Sequence, residues 1–558
     1  MNSRNKKNIK ELQNKSKKGE LFSSFQLYQN YLHGQDGVES NPTIAQEYFD
    51  NCIHYIEKNN SLASPEFQPT NKVYLDSFEL FDFRAFTHLR GSFENDLTVI
   101  IGDNGKGKTS ILNAIAKTLS WVASNILRED GAGQRVSDLY DIKKSSRNKY
   151  TDILTDFNYG NGAKRISARL SRAALGVRNK RESDIKLLKY FADIFRIIND
   201  KQTINLPLFA FYSVERSHPT IRNNKENTSL REERFDAYTS SLVGAGKFEH
   251  FIEWFISLHK KAENDGSAEI STLQEQVNGL EHSIANGVLS LEPILRETQD
   301  KLVKSMQKFA DAKKNKTLTD SQRMKIVVEA ICNIIPSISN IWVETSSGSD
   351  IAMVNNDGIN VQVEQLSDGQ RVFLSLVSDI VRRLIMLNPK LVNPLEGLGI
   401  VLIDEVELHL HPKWQQNIVP DLQKYFPNLQ LIITTHSPLV LSSIDKTNIR
   451  LFDSLNLNET INLVKPTFQT KGVINSDVLE QIMGTFATPQ NIRETHLISD
   501  FERALNKKIY ENNEEAKEYF QMIMLHFGEE SSEMKKCKSL IRIQSMKLQA
   551  QKKLKNKD

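Results

Sequence analysis

The chain has 558 residues with a formal net charge of +3, and 39% of its residues are hydrophobic and 25% charged. This composition is typical of a globular protein with about two to four structural units. No apolar run approaches the roughly 20 residues that cross a bilayer, and the polar, basic N-terminus lacks the apolar core of a secretory signal. Three widely separated cysteines show no metal spacing. We therefore expect a cytoplasmic protein with reduced thiols and no membrane partner.

The first 65 residues have a helical pattern. Apolar residues near helical spacing run from Phe25 to Leu32 and again from Ala45 to Ile53, with a Gly- and Pro-containing turn between them. The pattern resembles one unit of the helix-turn-helix repeats of the tetratricopeptide superclass. Because one unit cannot bury its own apolar face, we expect this hairpin to pack on its neighbour or on a partner.

A phosphate-loop motif follows the first strand candidates. The apolar segment Leu97–Ile101 leads into Gly-Asp-Asn-Gly-Lys-Gly-Lys-Thr, which fits G-x-x-x-x-G-K-[ST], and a helix is predicted from Lys108. Backbone N–H groups of such a loop surround phosphates at a helix N-terminus. Lys108 would reach the β- and γ-phosphates and Thr109 would ligate Mg²⁺. The predicted ATP-binding residues are Gly102, Asp103, Asn104, Gly105, Lys106, Gly107, Lys108, Thr109 and Ser110.

A polar helical stretch interrupts the α/β pattern at about residues 262–330. Leu273, Val277, Leu280, Ile284, Val288, Leu291 and Leu295 recur at steps of three or four residues. The stripe is too short for a long coiled-coil arm, and two glycines weaken it further. We expect a compact antiparallel helical insertion.

Two later motifs flank the second half of the α/β pattern. Leu-Ser-Asp-Gly-Gln opens a helix predicted over Val372–Leu387, and its Ser is a good N-cap residue. The helix N-terminus would be an anion site formed by Leu366, Ser367, Asp368, Gly369 and Gln370. The apolar strand Leu398–Ile403 then delivers Asp404 and Glu405 to the edge of the sheet where ligands bind. Asp404 would hold Mg²⁺ and Glu405 would orient and deprotonate the attacking water.

A further strand, Leu429–Thr434, precedes His436. The four motifs in this order resemble the ABC/SMC-like ATPases, a family that includes the overcoming-lysogenization-defect (OLD) proteins. The resemblance implies that His436 is a switch histidine at the γ-phosphate and that the signature faces the ATP of an opposite subunit, so a homodimer or higher homo-oligomer is expected. Asp368 stands where the signature usually has Gly. Gln134 is a candidate for the glutamine loop.

The Glu-x-His-Leu-His-Pro segment at residues 407–412 also fits this family. It contains acids and histidines that could form a metal site, although the family pattern favours an interface loop. The layout as a whole resembles the PtuA-type ATPases of the Septu anti-phage system in the form carried by retron loci. That resemblance implies control of an HNH nuclease partner, together with a reverse transcriptase and a multicopy single-stranded DNA with its RNA.

The sequence thus predicts an α/β fold, an ABC-type P-loop ATPase with additional helical parts. Its expected segments are a repeat-like N-terminal hairpin (1–65), the first ATPase part (66–261), the helical insertion (262–330), the second ATPase part (331–466) and a C-terminal helical region with a basic tail (467–558). Two alternatives remain. A stand-alone SMC-like repair ATPase normally has longer coiled-coil arms, and an OLD-type nuclease needs a metal-binding Asp-x-Asp that we do not find after His436.

Overall fold

The computed structural model describes residues 3–57, 72–145, 149–160, 164–177, 181–217, 234–244, 248–264, 267–285, 291–314, 318–345, 348, 350–453 and 460–555. The chain divides into two compact units, Met1–Val473 and Ile474–Asp558. Residues 61–72 are rich in Ser, Pro, Asn and Thr, which predicts a linker, and of these residues the structure describes only Lys72. None of the helices in the described ranges is long and apolar enough to cross a membrane.

The strands form one large and one small sheet. The bounds are β1 (Val73–Phe83), β2 (Phe86–Ser92), β3 (Leu97–Ile101), β4 (Tyr150–Tyr159), β5 (Lys164–Ala173), β6 (Leu208–Tyr212), β7 (Ile338–Glu344), β8 (Ile351–Asn356), β9 (Ile359–Gln362), β10 (Gly399–Ile403), β11 (Leu429–Thr434), β12 (Ile449–Phe452) and β13 (Thr460–Val464). The large sheet has the order β5-β4-β1-β2-β13-β12-β3-β11-β10-β6, and the small sheet has the order β7-β8-β9. The α/β fold class is confirmed.

The helices surround and extend these sheets. Their bounds are α1 (Ser3–Lys17), α2 (Leu21–His33), α3 (Pro42–Glu57), α4 (Lys108–Leu127), α5 (Lys186–Lys201), α6 (Phe248–Asn264), α7 (Ser267–Ala285), α8 (Glu292–Lys314), α9 (Asp320–Ile334), α10 (Asp368–Leu387), α11 (Pro412–Gln415), α12 (Ile418–Tyr425), α13 (Pro438–Leu441), α14 (Asn475–Gln481), α15 (Arg493–Lys507), α16 (Glu514–Phe527) and α17 (Ser532–Lys555).

The centre of the large sheet is parallel and buried. Strands β6, β10, β11 and β3 pair in parallel, and every residue of these four strands is buried. Continuous apolar strands are expected where both faces of a parallel sheet are covered. Their carboxyl ends lie at the same edge, so the segments that follow β3, β6, β10 and β11 converge there.

The other half of the sheet folds back over this centre. Gln430 of β11 is fully buried, and its side-chain amide accepts from Leu75 N at 2.8 Å and donates to Leu75 O at 2.8 Å. Leu75 belongs to β1, which is separated from β11 by four strands in the sheet order. The sheet is therefore strongly curved, and a side chain completes the backbone hydrogen bonds of β1 where its register with β4 shifts.

The N-terminal helices do not stand alone. Phe22 of α2 stacks on Phe191 of α5 with ring centroids 6.1 Å apart, and Lys201 Nζ donates to Tyr28 OH at 2.9 Å. The apolar face that the sequence pattern exposes is thus covered by α5. We attribute most of the stability of this hairpin to that packing.

The helical stretch between the two halves of the α/β pattern forms a hairpin of α7 and α8. Leu273 and Val277 pack against Leu302, and Gln299 Nε2 donates to Glu281 Oε1 at 3.3 Å. The predicted apolar stripe is therefore divided between two helices that pack on each other, which is the arrangement of a compact antiparallel insertion. Val288 of the predicted stripe lies outside the described residues.

One helix predicted from the sequence is divided in two. The apolar pattern of the sequence predicts a single helix over Trp414–Phe426, whereas the structure has α11 and α12. Pro420 lacks the N–H that would bond to the carbonyl of residue 416, so a helix cannot continue through it without a break. Helix α12 therefore begins at Ile418, with Pro420 in its first turn, where such an N–H has no helical partner.

The second unit is a small helical bundle of α14 to α17. Its core brings together buried side chains of three helices, which are Leu497, Phe501, Ala504, Leu505, Ala516, Ile523, Met534 and Cys537. The Asn513 side chain caps α16 by accepting from Ala516 N at 3.1 Å, and it donates to Ala504 O at 2.7 Å. The helical prediction for this stretch is confirmed at the level of secondary structure.

Candidate nucleotide site

The loop between β3 and α4 has a backbone that only glycine adopts without strain. Gly105 and Gly107 have φ of 79° and 90°, in the left-handed region that disfavours a side chain. Helix α4 begins at Lys108, and its N-cap residue is Gly107. Because glycine has no side chain, no side-chain hydrogen bond caps the first N–H groups of the helix. Uncapped N–H groups at the positive end of a helix form an anion-binding concavity.

Two aromatic rings support this loop from behind. Phe86 and Phe452 lie with ring planes 11° apart and centroids separated by 6.3 Å. A Cβ atom on Gly107 would stand 2.3 Å from Phe86 Cζ, and one on Gly102 would stand 2.9 Å from Phe452 Cδ2. The rings occupy the space that side chains would need, so packing within the chain holds the loop in shape.

Lys108 is folded into the loop. Its Nζ donates to Gly102 O at 2.7 Å and to Asp103 O at 3.2 Å, and the residue is only 6% exposed. Burial lowers the pKa of the Lys108 ammonium, an effect that the neighbouring carboxylates, Asp404 foremost, oppose. The ammonium can exchange these carbonyl acceptors for phosphate oxygens without leaving the loop.

Asp404 lies across from the loop at the end of β10. It is fully buried, and its two carboxylate oxygens accept from Thr109 Oγ1 at 2.7 Å and from Thr434 Oγ1 at 2.6 Å. The structure therefore brings together Thr109 and Asp404, which are 295 positions apart in sequence. A hydroxyl and a carboxylate beside a phosphate loop provide oxygen ligands of the kind that Mg²⁺ uses together with phosphates and water.

Glu405 occupies a strained turn directly after the strand. Its φ of 46° lies in the left-handed region, which is costly for a residue with a side chain. Its N–H donates to Thr434 Oγ1 at 2.8 Å, and its carbonyl accepts from Arg216 Nη2 at 2.6 Å. Strain maintained by surrounding hydrogen bonds is common at functional sites.

The end of β11 is tied to the loop that follows Glu405. Glu407 accepts from His436 N at 2.5 Å and from Thr435 Oγ1 at 2.7 Å, and Ser437 Oγ donates to Gln415 Oε1 at 2.7 Å. His436 is half-buried, two residues after the threonine that contacts Asp404. The backbone around the predicted switch histidine is thereby fixed relative to the acid pair.

The histidines of the 407–412 loop have other roles in the structure. His411 caps α11, with Nδ1 accepting from Lys413 N at 3.3 Å. His409 has a left-handed φ of 61°, and its carbonyl stands 2.2 Å from where a Cβ on Gly369 would lie. In the described ranges, no group of three or more His, Cys, Asp or Glu side chains is arranged to hold a metal ion.

The signature forms the exposed N-terminus of α10. Ser367 Oγ accepts from Gln370 N at 3.4 Å, and the Gln370 side chain accepts from Ser367 N at 3.2 Å, a complete capping box. Ser367 and Asp368 are exposed, and Leu366 is buried. Gly369 packs against the 407–412 loop. Within one copy the structure thus places the signature against that loop, with its polar end directed to solvent.

The rest of α10 is anchored by a buried ion cluster that the sequence analysis missed. Asp379 accepts from Arg383 Nε at 2.7 Å, from Arg382 Nη2 at 3.0 Å and from Tyr212 OH at 2.9 Å. Burial alone would raise the pKa of the Asp379 carboxyl, but the two guanidinium groups lower it to about 2. Tyr212 pairs with Ile403, the residue before Asp404. The cluster therefore links the signature helix to the strand next to the acid pair.

The glutamine-loop candidate stays a prediction, and two further contacts of the acid pair were not expected. Gln134, the candidate for the glutamine loop, donates from Nε2 to Leu242 O at 2.8 Å. The contacts of Thr434 and Arg216 with the acid pair were not predicted. Thr434 could have been found from the sequence, because it is a polar residue at the end of an apolar strand. Arg216 could not, because no pattern in the sequence relates the segment after β6 to the residues after β10.

The residues present fit a magnesium nucleotide. The positive-φ glycines leave room for phosphates, and the start of α4, which no side chain caps, directs its dipole at them. The buried Lys108 supplies positive charge, and the Thr109–Asp404 pair supplies metal ligands. All of them lie in the first unit. Such a set is characteristic of nucleoside triphosphate sites in P-loop proteins.

Residues 97–442 match the family described as "AAA domain, putative AbiEii toxin, Type IV TA system". The chain belongs to this ATPase family. It is 30% identical over 533 residues to the "Retron Ec83 probable ATPase" of Escherichia coli, which covers 93% of this chain and 94% of that protein. It is 29% identical over 502 residues to the "Retron Vc95 probable ATPase" of Vibrio cholerae, covering 87% and 90% of the two chains.

Likeness to Septu proteins is more limited in extent. The "Septu protein PtuA" of Bacillus thuringiensis is 26% identical over 185 residues, 32% of this chain and 45% of that protein. A solved Smc head domain from Pyrococcus furiosus is 14% identical with a TM-score of 0.36 over 70% of this chain and 96% of that chain, too low to support an argument. The chain is an ATPase of the retron and Septu type, as the resemblance predicted.

Proposed function

We propose that this ATPase binds ATP and Mg²⁺ at the carboxyl edge of the large sheet and closes the site with the signature helix of a second copy. The observation that carries this proposal is the pairing of Thr109 with Asp404 at 2.7 Å beside the uncapped start of α4. Because these groups are 295 positions apart in sequence, their meeting next to a phosphate loop is best explained by a shared ligand.

Each residue has a distinct part in this proposal. Lys108 and the N–H groups of residues 102–110 neutralise the phosphates, and Thr109 and Asp404 hold the metal ion, which would screen the phosphate charge when bound. Glu405 orients and deprotonates the attacking water, and His436 contacts the γ-phosphate. Catalysis of phosphoryl transfer is mainly positioning and charge stabilisation, so the rigid backbone around these groups is what the reaction requires.

The second copy supplies the remaining charge stabilisation. The first turn of α10 follows the Ser367 N-cap and is exposed at Ser367 and Asp368. A helix N-terminus favours an anion, and the phosphates of an ATP held by another copy would provide one. The proposal therefore includes a homodimer formed in the ATP state, or a higher homo-oligomer built from it.

We further propose that the ATPase is the nucleotide-responsive component of an anti-phage defence complex. The support is the likeness to two retron ATPases over most of the chain and the partial likeness to Septu proteins. The partners would be an HNH nuclease of the PtuB type, a reverse transcriptase and a multicopy single-stranded DNA with its RNA. ATP binding and dimerisation would then restrain or release the nuclease.

The nucleotide part of the proposal is tested with Glu405→Gln. This variant should bind Mg-ATP as the wild type does, hydrolyse it at less than roughly a hundredth of the wild-type rate, and accumulate as a dimer. Single-turnover hydrolysis and light scattering of the full chain give both readouts. Wild-type turnover in Glu405→Gln would overturn the assignment of the base.

The complex is tested by expressing the gene with its native neighbourhood and identifying everything that co-purifies with the tagged chain. Recovery of an HNH protein with a reverse transcriptase and single-stranded DNA is the expected result. Recovery of the ATPase alone would overturn the defence-complex assignment and favour a stand-alone ATPase that acts on DNA, while leaving the nucleotide site unaffected.

A further inference from the structure

A buried arginine lies behind the acid pair, and its hydrogen bonds within the described ranges of the chain are to backbone carbonyl groups. Arg216 follows β6 and is 6% exposed. Its Nη1 donates to Asp404 O at 2.5 Å and to Ser213 O at 3.0 Å, and its Nη2 donates to Glu405 O at 2.6 Å. The guanidinium therefore bridges the successive carbonyl groups of Asp404 and Glu405, and it does so from the segment that follows the neighbouring strand β6.

The turn at Glu405, whose carbonyl group Arg216 contacts, has a strained backbone conformation. Glu405 has a φ of 46°, and a residue with a side chain persists in this sparsely populated region only where its surroundings hold it there. Thr434 holds the N–H side of the turn at 2.8 Å, and Arg216 holds the carbonyl side. Without the guanidinium, the peptide after Glu405 could rotate and carry the carboxylate away from the site.

The charge of Arg216 also belongs to this site. Burial lowers the pKa of the Arg216 guanidinium to about 10, while the carboxylates of Asp404, Glu407 and Glu405 oppose that change. The guanidinium thus remains cationic at neutral pH. An uncompensated buried cation is costly, so the three acids and the two carbonyl groups explain why it is tolerated there.

We propose that Arg216 is a positioning residue for ATP hydrolysis, because its planar guanidinium fixes the carbonyl groups of Asp404 and Glu405 and thereby holds Glu405 in its left-handed turn. The inference rests on the proposed role of Glu405 as the base. A lysine cannot replace this function in full, since an ammonium is a point charge without the fixed geometry that spans two carbonyl groups.

Arg450 provides a matched control. It is 1% exposed and also bonds to backbone, with Nε donating to Ser92 O at 2.9 Å and Nη1 donating to Thr447 O at 2.7 Å. Unlike Arg216, it donates to a carboxylate as well, from Nη2 to Glu94 Oε1 at 2.6 Å. It lies in β12, away from the acid pair. Arg450→Lys therefore removes a comparable buried guanidinium in the same unit without changing the contacts of Glu405.

The experiment compares Arg216→Lys with Arg450→Lys in the full chain, using nucleotide affinity, single-turnover hydrolysis and the unfolding midpoint. We expect both variants to unfold earlier, but only Arg216→Lys to lose on the order of 10- to 100-fold in hydrolysis rate, with ATP affinity within about threefold of wild type. Equal hydrolysis by the two variants would overturn the proposal. If Arg216→Lys fails to fold, Arg216→Gln, which retains one donor, replaces it.

A double variant separates this inference from the one beneath it. If Arg216 acts through Glu405, the residual hydrolysis of Glu405→Gln should not fall further when Arg216→Lys is added. A further fall of the same factor would show that Arg216 acts by another route. Wild-type turnover in Glu405→Gln alone would instead remove the assigned base, whereas an inactive Glu405→Gln with a fully active Arg216→Lys would remove only the role of Arg216.

Discussion

Two helix N-termini in this protein have the chemistry of an anion site, but they are completed in different ways. The start of α4 is enclosed by its own chain, with Lys108 buried and Thr109 bonded to Asp404. The start of α10 is closed by its own capping box, and Ser367 faces solvent. The first helix end is thus enclosed within one copy, while the second is open to solvent.

The difference extends along the length of α10. Its first turn is exposed, whereas the segment Val372–Ile385 is buried throughout and is tied to β6 by the Asp379 cluster. The helix therefore presents a free end on a rigid support that also contacts the strand beside the acid pair. Changes at the two helix ends should separate binding within one copy from association between copies.

The largest expected effect is a loss of folding stability when the buried Asp379 cluster of α10 is broken. Asp379→Asn leaves two buried guanidinium groups without their counter-ion, which should lower the free energy of unfolding by about 3 kcal/mol. All four tryptophans lie in the first unit, at positions 121, 254, 342 and 414, so urea unfolding followed by tryptophan fluorescence reports on that unit. Asp368→Asn is the control, since the exposed Asp368–Arg371 pair should contribute less than about 0.5 kcal/mol. Equal losses in the two variants would contradict the burial of the cluster.

The next effect is a loss of Mg-ATP affinity at the start of α4, the enclosed helix end. Lys108→Ala removes the buried ammonium and should weaken Mg-ATP binding by about 100-fold, which corresponds to about 2.7 kcal/mol. Lys106 lies in the same loop and would contribute only its backbone N–H to phosphate binding, since its side chain is exposed. Lys106→Ala keeps that N–H, so its Mg-ATP affinity should stay within about threefold of wild type. Titration with a fluorescent ATP analogue measures both. Similar losses in the two variants would mean that net charge, and not the position of Lys108, determines binding.

Much of the enclosed site could be predicted because its signals are local. The bounds of β3 and β11 agree with the sequence pattern to the residue, and the phosphate loop and acid pair each follow an apolar strand. The buried cluster could not be predicted in this way. Asp379, Arg382 and Arg383 are spaced like a solvated helix face, and only the packing of Tyr212 and the 3₁₀ turn at Phe235–Tyr238 makes them interior. The contacts of Arg216 could not be predicted for the same reason, since Asp404 and Glu405 lie 188 and 189 positions away in sequence.

A third prediction follows from the pKa of Asp379, about 2 in the folded chain against an ordinary value of 3.8. A carboxyl whose pKa is lower in the folded state stabilises fully above pH 3.8, and this contribution is lost as the pH falls through about 2. The free-energy gap between wild type and Asp379→Asn should therefore shrink by about 2 kcal/mol between pH 4 and pH 2. Urea midpoints of both proteins across that range measure it. A gap that is constant with pH would show that the carboxylate charge does not hold the cluster.

The smallest expected effect tests the exposed helix end itself. Ser367→Asp and Ser367→Asn both keep a good N-cap, so α10 should form in each, but only Asp places a negative charge where the phosphate of a second copy would lie. We expect Ser367→Asp to weaken ATP-dependent dimerisation by about 10-fold and Ser367→Asn to leave it nearly unchanged, with ATP binding to the isolated chain the same in both. Light scattering over a concentration series, in the Glu405→Gln background, gives the dimerisation constants. Equal dimerisation in the two variants would mean that this helix end does not face nucleotide, and the contrast between the two N-termini would then concern stability within one copy alone.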